Sequence, residues 1–189
     1  MRPSASCSTP TFCSPFTLRD TLLRAAARGL VQVHWSDEIL AEATRNLIGV
    51  GHMTAAQAAH LVAAMRDAFR EAQVIDYERL IPSMPNQTKD RHVAAAAIKA
   101  GAQVIVTSNL RDFRPLPLGI EAKGPDDFLL DLLDLAPAAM VDQLRRQSAA
   151  LRRPPVTLDR LLVGLGRTAP RFEVAVRAEI NTRVLRKSA

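Results

Sequence analysis

Cysteine is nearly absent: only Cys7 and Cys13 occur, both in the first fourteen residues of the 189. Two thiols in one short segment establish neither a disulfide framework nor a C-x-x-C metal knuckle. Long apolar runs are also missing, since AGAQVIV is short and FLLDLLDLA is interrupted by Asp. Neither spans a bilayer, and MRPSASCSTPTFCSP has no apolar signal stretch, so the expected compartment is the cytoplasm, with no membrane partner. No G-x-S-x-G, P-loop, G-x-G-x-x-G or H-E-x-x-H pattern is present, which leaves serine hydrolase, NTPase, dinucleotide and zincin chemistry without a motif. The stretch SASCSTPTFCS contains no acid at all.

What is present is apolar content sufficient for a core, 48% of residues, and a formal net charge of +6. The positive balance suits a polyanion such as RNA, DNA or an acidic protein. Much of it lies late, in LRRQSAALRRPP and RVLRKSA, whereas the acids of chemical interest lie earlier. A solvated basic helix with no ligand explains the same pattern equally well.

Helix and strand signals alternate. Leu18, Leu22, Leu23 and Ala26 recur at helical spacing within 15–29, and 30–35 reads as a short strand. Ser36 caps a helix with Asp37 and Glu38 in its first turn, Ile39, Leu40, Ala43 and Leu47 on its apolar face, and Glu42 one turn inside. A further helix starts near Thr54 and runs through Ala68, and 72–76 is a candidate strand. Lys89-Asp90-Arg91-His92 opens an alanine-rich helix that stops at Gly101, followed by a buried-type strand over 103–107. After Pro115 and Pro117, 119–122 is a possible last strand, Pro125 begins the helix DDFLLDLLDL, another helix spans 138–152, and a helical tail follows Pro154-Pro155. The expected fold is α/β, a central parallel sheet flanked by helices, with further helices at the C-terminus.

Helix 90–100 and strand 103–107 share a tight turn and therefore run antiparallel. The helix start and the strand end then lie on one sheet edge, bringing Asp90 to the turn that carries Asp112. Glu42 follows the strand ending at Trp35 and falls on the same edge, where parallel sheets place their sites. Clustered carboxylates with oxygen-only ligation suit Mg²⁺ or Mn²⁺, which activates water and stabilises charge on phosphate. Singly, each acid has a structural reading: Glu42 as a solvated helix residue, Asp90 as an N-cap, and Asp112 as a turn cap with Asn109. His92 is read as packed or capping, and Trp35 as core.

The stretches PFTLRDTLLRAAARGL, HWSDEILAEATRNL, KDRHVAAAAIKAGAQVIVTSNLRDF and GIEAKGPDDFLLDLLDL together resemble PIN-domain proteins of the VapC toxin type, in the branch with a C-terminal helical extension. The resemblance implies an α/β/α sandwich, with the PIN domain over 15–135 and the extension over 136–189. It also implies Mg²⁺- or Mn²⁺-dependent cleavage of single-stranded RNA, a cognate antitoxin and a possible homodimer. By motif, Glu42, Asp90 and Asp112 become the metal-binding and catalytic acids, bordered by Thr107 and Asn109, the latter where relatives often carry Asp. Two alternatives stay open: a catalytically dead PIN fold that binds antitoxin or RNA, and a structure-directed DNA nuclease.

The resemblance further implies a first strand ending in Asp, ahead of PFTLRD. Residues 1–14 depart from it, and the missing Asp falls near Thr9; Pro10 and the Ser/Thr content also make a poor central strand. A shifted reading frame accounts for this. With TCN serine codons, each third base read with the next two permits Val-Arg-Leu-Val-Leu-Asp-Ala-Asn-Val-Leu-Phe across 3–14. Replacing residues 1–14 by this strand is expected to raise Mn²⁺-dependent RNA cleavage above that of the printed chain; equal activity in the two counts against the frameshift.

Overall fold

The computed structural model describes residues 4–7, 16–152 and 154–188. Four parallel strands, β1 (Ser4–Cys7), β2 (Gln32–His34), β3 (Val104–Val106) and β4 (Glu121–Lys123), form one sheet in the order β2-β1-β3-β4. Eight helices are described: α1 (Phe16–Ala27), α2 (Asp37–Gly49), α3 (Ala55–Ala68), α4 (Arg91–Ala100), α5 (Pro125–Leu135), α6 (Pro137–Ala150), α7 (Leu158–Gly166) and α8 (Pro170–Ser188). Among the described residues, no helix is long and apolar enough to cross a membrane.

The chain forms two compact units. The first joins β1 to residues 31–124 and contains the whole sheet with α2, α3 and α4. Its helices begin where the sequence supplies caps. Ser36 Oγ accepts from the Ile39 amide at 3.3 Å. Thr54 and Gln57 form a reciprocal capping box at the start of α3. Gly101 closes α4 at φ +65°, the left-handed conformation that ends a helix. The core beneath is built by Ile39, Leu40, Ala43 and Leu47 of α2, Val93 to Ala97 of α4, and Ile105 and Val106 of β3. Alanine on α4 lets the helix backbone lie close to its neighbours, and all three β3 residues are buried, as befits a strand covered on both faces. Trp35 is fully buried and meets Phe69 edge-on, ring centroids 5.7 Å apart, in agreement with its reading as core.

The second unit joins residues 16–30 to 125–188, so α1 and α5 pack with the C-terminal helices and the break falls after Gly124. The expected division at 135 differs because the apolar faces of α1 and α5 are satisfied within this unit. Leu18, Leu22, Phe128, Leu129, Leu132, Met140, Leu144, Leu161, Leu165 and Phe172 make its core. A buried polar network ties α1 to α6: Thr21 Oγ1 donates to Gln147 Oε1 at 2.9 Å, and Gln147 Nε2 donates to the Thr17 carbonyl at 3.2 Å. Asp126 receives the Phe172 amide at 2.9 Å and so anchors the start of α8 on α5.

Two expectations change. Residues 72–76 contribute one isolated parallel bridge, Gln73 to Trp35, because 70–72 turns into a short 3-10 helix instead of extending. Residues 4–7, expected to be poor strand material, occupy the central sheet position; backbone pairing on both sides supplies their hydrogen bonds whatever the side chains prefer, and Pro10 lies outside the described residues. The position near Thr9 lies outside them as well.

Two measurements test this packing. The space around Gly101 is open, so Gly101→Ala meets no clash and pays only for the left-handed backbone; denaturant unfolding is expected to show a loss of roughly 1–2 kcal/mol. His34 on β2 is 6% exposed, and burial lowers its pKa below the ordinary histidine value of 6.5. The unfolded chain then binds the proton more readily, so the His34 contribution is complete above pH 6.5 and is lost as the pH falls below that value through the lower pKa of the folded state. His34→Gln is expected to flatten this segment of a stability-versus-pH curve; an unchanged slope removes His34 as its source.

Candidate functional site

The sharp turn at Gly101 folds β3 back along α4, so residues preceding α4 meet residues following β3. The Gln87 amide donates to the Asp112 carbonyl at 3.1 Å, a backbone bond that clasps the two loops together. Asp90 occupies the N-cap position of α4, yet its side chain makes no capping hydrogen bond. The carboxylate is therefore not consumed by the helix. Asp90 is 8% exposed, and its Oδ2 has no hydrogen-bond partner among the described residues. Burial raises its pKa against the pull of Lys89, and the nearby charges of Asp112 and Glu42 raise it further.

Asp112 lies in the 3-10 turn Leu110–Phe113. Its Oδ2 receives Lys89 Nζ and Asn109 Nδ2, each at 2.5 Å, and these bonds hold its carboxyl below the usual range. The turn-cap reading of Asp112 with Asn109 is thus realised, while a second bond carries it to Lys89. Thr107, fully buried, accepts the Asn109 amide on Oγ1 at 3.0 Å and donates its own amide to the Lys123 carbonyl at 2.9 Å. This pair sets the path of the chain as it leaves the sheet.

Glu42 reaches the same place from α2. Its Oε2 lies 3.4 Å from Nε2 of the buried His92, in the first turn of α4. Lys89 stands among the acids: its Nζ is 3.9 Å from Asp90 Oδ2, and its pKa is raised by the Asp112 hydrogen bond first, then by the charges of Asp90, Asp112 and Glu42. All three sequence-derived acids therefore act on one locality. They surround an ammonium group, and among the described residues no three His, Cys, Asp or Glu side chains converge closely enough to hold an ion without rearrangement.

Three participants escape sequence reasoning. Lys89 precedes Asp90 in the motif, but nothing in its spacing shows that it turns back onto Asp112. His92 reads as packing until its distance to Glu42 is known. Asn86 is 2% exposed with neither side-chain amide atom hydrogen-bonded among the described residues, while its carbonyl accepts from Arg91 Nε at 3.1 Å. A loop Asn directly after Pro85 carries no signal of such burial.

The fold is thus a parallel sheet of order β2-β1-β3-β4, with an acidic edge at the start of α4 and the end of β3. Residues 7–111 match the family model of the PIN domain, and residues 125–178 match that of the VapC50 C-terminal domain. The second match begins at Pro125, the residue that opens the longer segment of the second compact unit. Over 104 residues the chain is 44% identical to VapC50 of Mycobacterium tuberculosis, a protein named as a candidate ribonuclease; the alignment covers 53% of this chain and 62% of the relative. The chain thus spans less than two thirds of that relative's length. No solved structure matches. With the first model covering more than half of its residues, the chain belongs to the PIN-domain family, as a VapC-like member with a C-terminal helical extension.

Proposed function

We propose that this protein is a divalent-cation-dependent endoribonuclease of the VapC toxin type, acting on single-stranded RNA in the cytoplasm under control of a cognate antitoxin. The observation that carries the reading is Asp90, a buried carboxylate with an oxygen lacking a hydrogen-bond partner among the described residues and with two further carboxylates near enough to raise its pKa. Such an arrangement is costly unless a cation compensates it. The donors are all oxygen, which fits Mg²⁺ or Mn²⁺. Asp90, Asp112 and Glu42 would hold the ion, which supplies a more acidic bound water and positive charge beside the phosphate.

The chain's own residues provide the rest. The start of α4 fixes Asp90 relative to the sheet, and the Thr107–Asn109 turn fixes Asp112. Lys89 is largely exposed at the rim and offers its ammonium to an incoming phosphate. The name of the similar protein from Mycobacterium tuberculosis supports RNA as the substrate class, and the family resemblance supports an antitoxin partner and a homodimer.

One observation favours a second reading. The N-terminal segment carries no acid where the resemblance implies one, which fits a PIN fold retained to bind antitoxin or RNA without cutting. Asp90→Asn decides between them. In a single-stranded RNA cleavage assay with Mn²⁺, the substitution is expected to lower the rate by roughly 10²-fold or more, with the circular dichroism spectrum unchanged. Metal-independent cleavage, or a rate unaffected by Asp90→Asn, excludes the proposed enzyme. A preference for flap or duplex DNA over RNA redirects the same chemistry to DNA.

A further inference from the structure

We propose that His92 is a positioning residue for Glu42, holding that carboxylate over the start of α4 so that acids from two separate helices form one site. The inference rests on the reading of Glu42 and Asp90 as cation ligands. Glu42 is the member of the set that the backbone controls least. Its helix is fixed by the buried Ile39, Leu40, Ala43 and Leu47, but its carboxylate sits at the end of a flexible side chain and is one-third exposed. Asp90 and Asp112, by contrast, are short side chains on a helix start and a braced turn.

His92 supplies one constraint on it. It stands two residues after Asp90 in the first turn of α4, so the helix itself fixes the imidazole relative to the Asp90 carboxylate. The ring is 6% exposed, and its Nε2 approaches Glu42 Oε2 at 3.4 Å. That nitrogen has no partner in hydrogen-bonding geometry among the described residues, so a small movement of the two side chains gives the imidazole a hydrogen bond to the Glu42 carboxylate. A histidine that served packing alone would turn its nitrogen to a backbone carbonyl or to water. Here it faces a carboxylate from a neighbouring helix, and with the proton on Nε2 it donates toward that oxygen. Side chains that orient a ligand from behind in this manner typically affect metal affinity by 10–100-fold.

The test is Mn²⁺ binding by the full chain, read from the electron paramagnetic resonance signal of free Mn²⁺, for the parent, His92→Leu, His92→Gln, His92→Asn and Glu42→Gln. Glutamine places an amide near the Nε2 position, whereas asparagine ends near Nδ1 and cannot reach Glu42. His92→Leu and His92→Asn are expected to weaken Mn²⁺ binding about tenfold, and His92→Gln to recover most of it. In a Glu42→Gln background, His92→Asn is expected to cause no further loss. Thermal melts identify variants that fail to fold, and the Gln–Asn contrast remains decisive if His92→Leu is one of them. Parent-like binding by His92→Asn overturns the proposal, as does equal weakening by Gln and Asn, or a loss that persists undiminished without Glu42. Spin-echo evidence of nitrogen bound directly to Mn²⁺ in the parent also overturns it, making His92 a ligand. Failure of the parent chain to bind Mn²⁺ overturns the metal-site reading itself, and the role of His92 with it.

Discussion

Asp90 is buried at a helix start without being used as a cap, and the other charged groups of the site are gathered around that one carboxylate. An ordinary N-cap aspartate spends its charge on the first amides of the helix. In this chain the short 3-10 turn Thr88–Asp90 leads into α4 with the side chain pointed elsewhere. Its neighbours then determine its state. Lys89 opposes the effect of burial, whereas Asp112 and Glu42 reinforce it. Under the proposed function, such a gathering of carboxylates is what would favour a small, hard cation.

The rigidity of that arrangement comes from elements that are chemically inert. Alanines 94 to 97 on α4 are fully buried and permit close approach of the helix to its neighbours. The left-handed Gly101 returns the chain at once into β3. A backbone bond from Gln87 to Asp112 then joins the entry of the helix to the exit of the strand. Each of these features acts on backbone geometry, so the positions of Asp90 and Asp112 follow from packing. Glu42 is different in kind: it arrives on a separate helix through a long side chain, and His92 is one of the groups it meets.

The second compact unit shows a different logic. Its polar residues Thr21, Gln143 and Gln147 are buried and mutually hydrogen-bonded, which fixes how α1 lies on α6 more narrowly than apolar contact alone. Its match to the VapC50 C-terminal domain covers 125–178, while α1, distant in sequence, packs into the same unit. Sequence order and spatial grouping diverge there because the apolar face of α1 is complemented by helices that come more than a hundred residues later.

Periodicity, caps and the glycine stop were enough to recover the α/β class, the helices from Ser36 and Thr54, and the antiparallel return at Gly101 that sets Asp90 beside Asp112; these are local rules, and the chain obeys them. The β-prone composition of 72–76 yields a single bridge because the 3-10 turn at 70–72 limits its extension, and residues 4–7 form a strand because pairing on two sides outweighs weak propensity. The residue types of the site were legible in the sequence, but their partners were not. That Lys89 folds onto Asp112, that Asn86 is buried, and that His92 faces Glu42 are contacts between side chains whose separation along the chain carries no information about their distance in space. The amino-acid sequence by itself determined which acids were available and which sheet edge they reached; only the tertiary structure decided which charges meet, because electrostatic interaction depends on side-chain distance and burial, and both are set by packing.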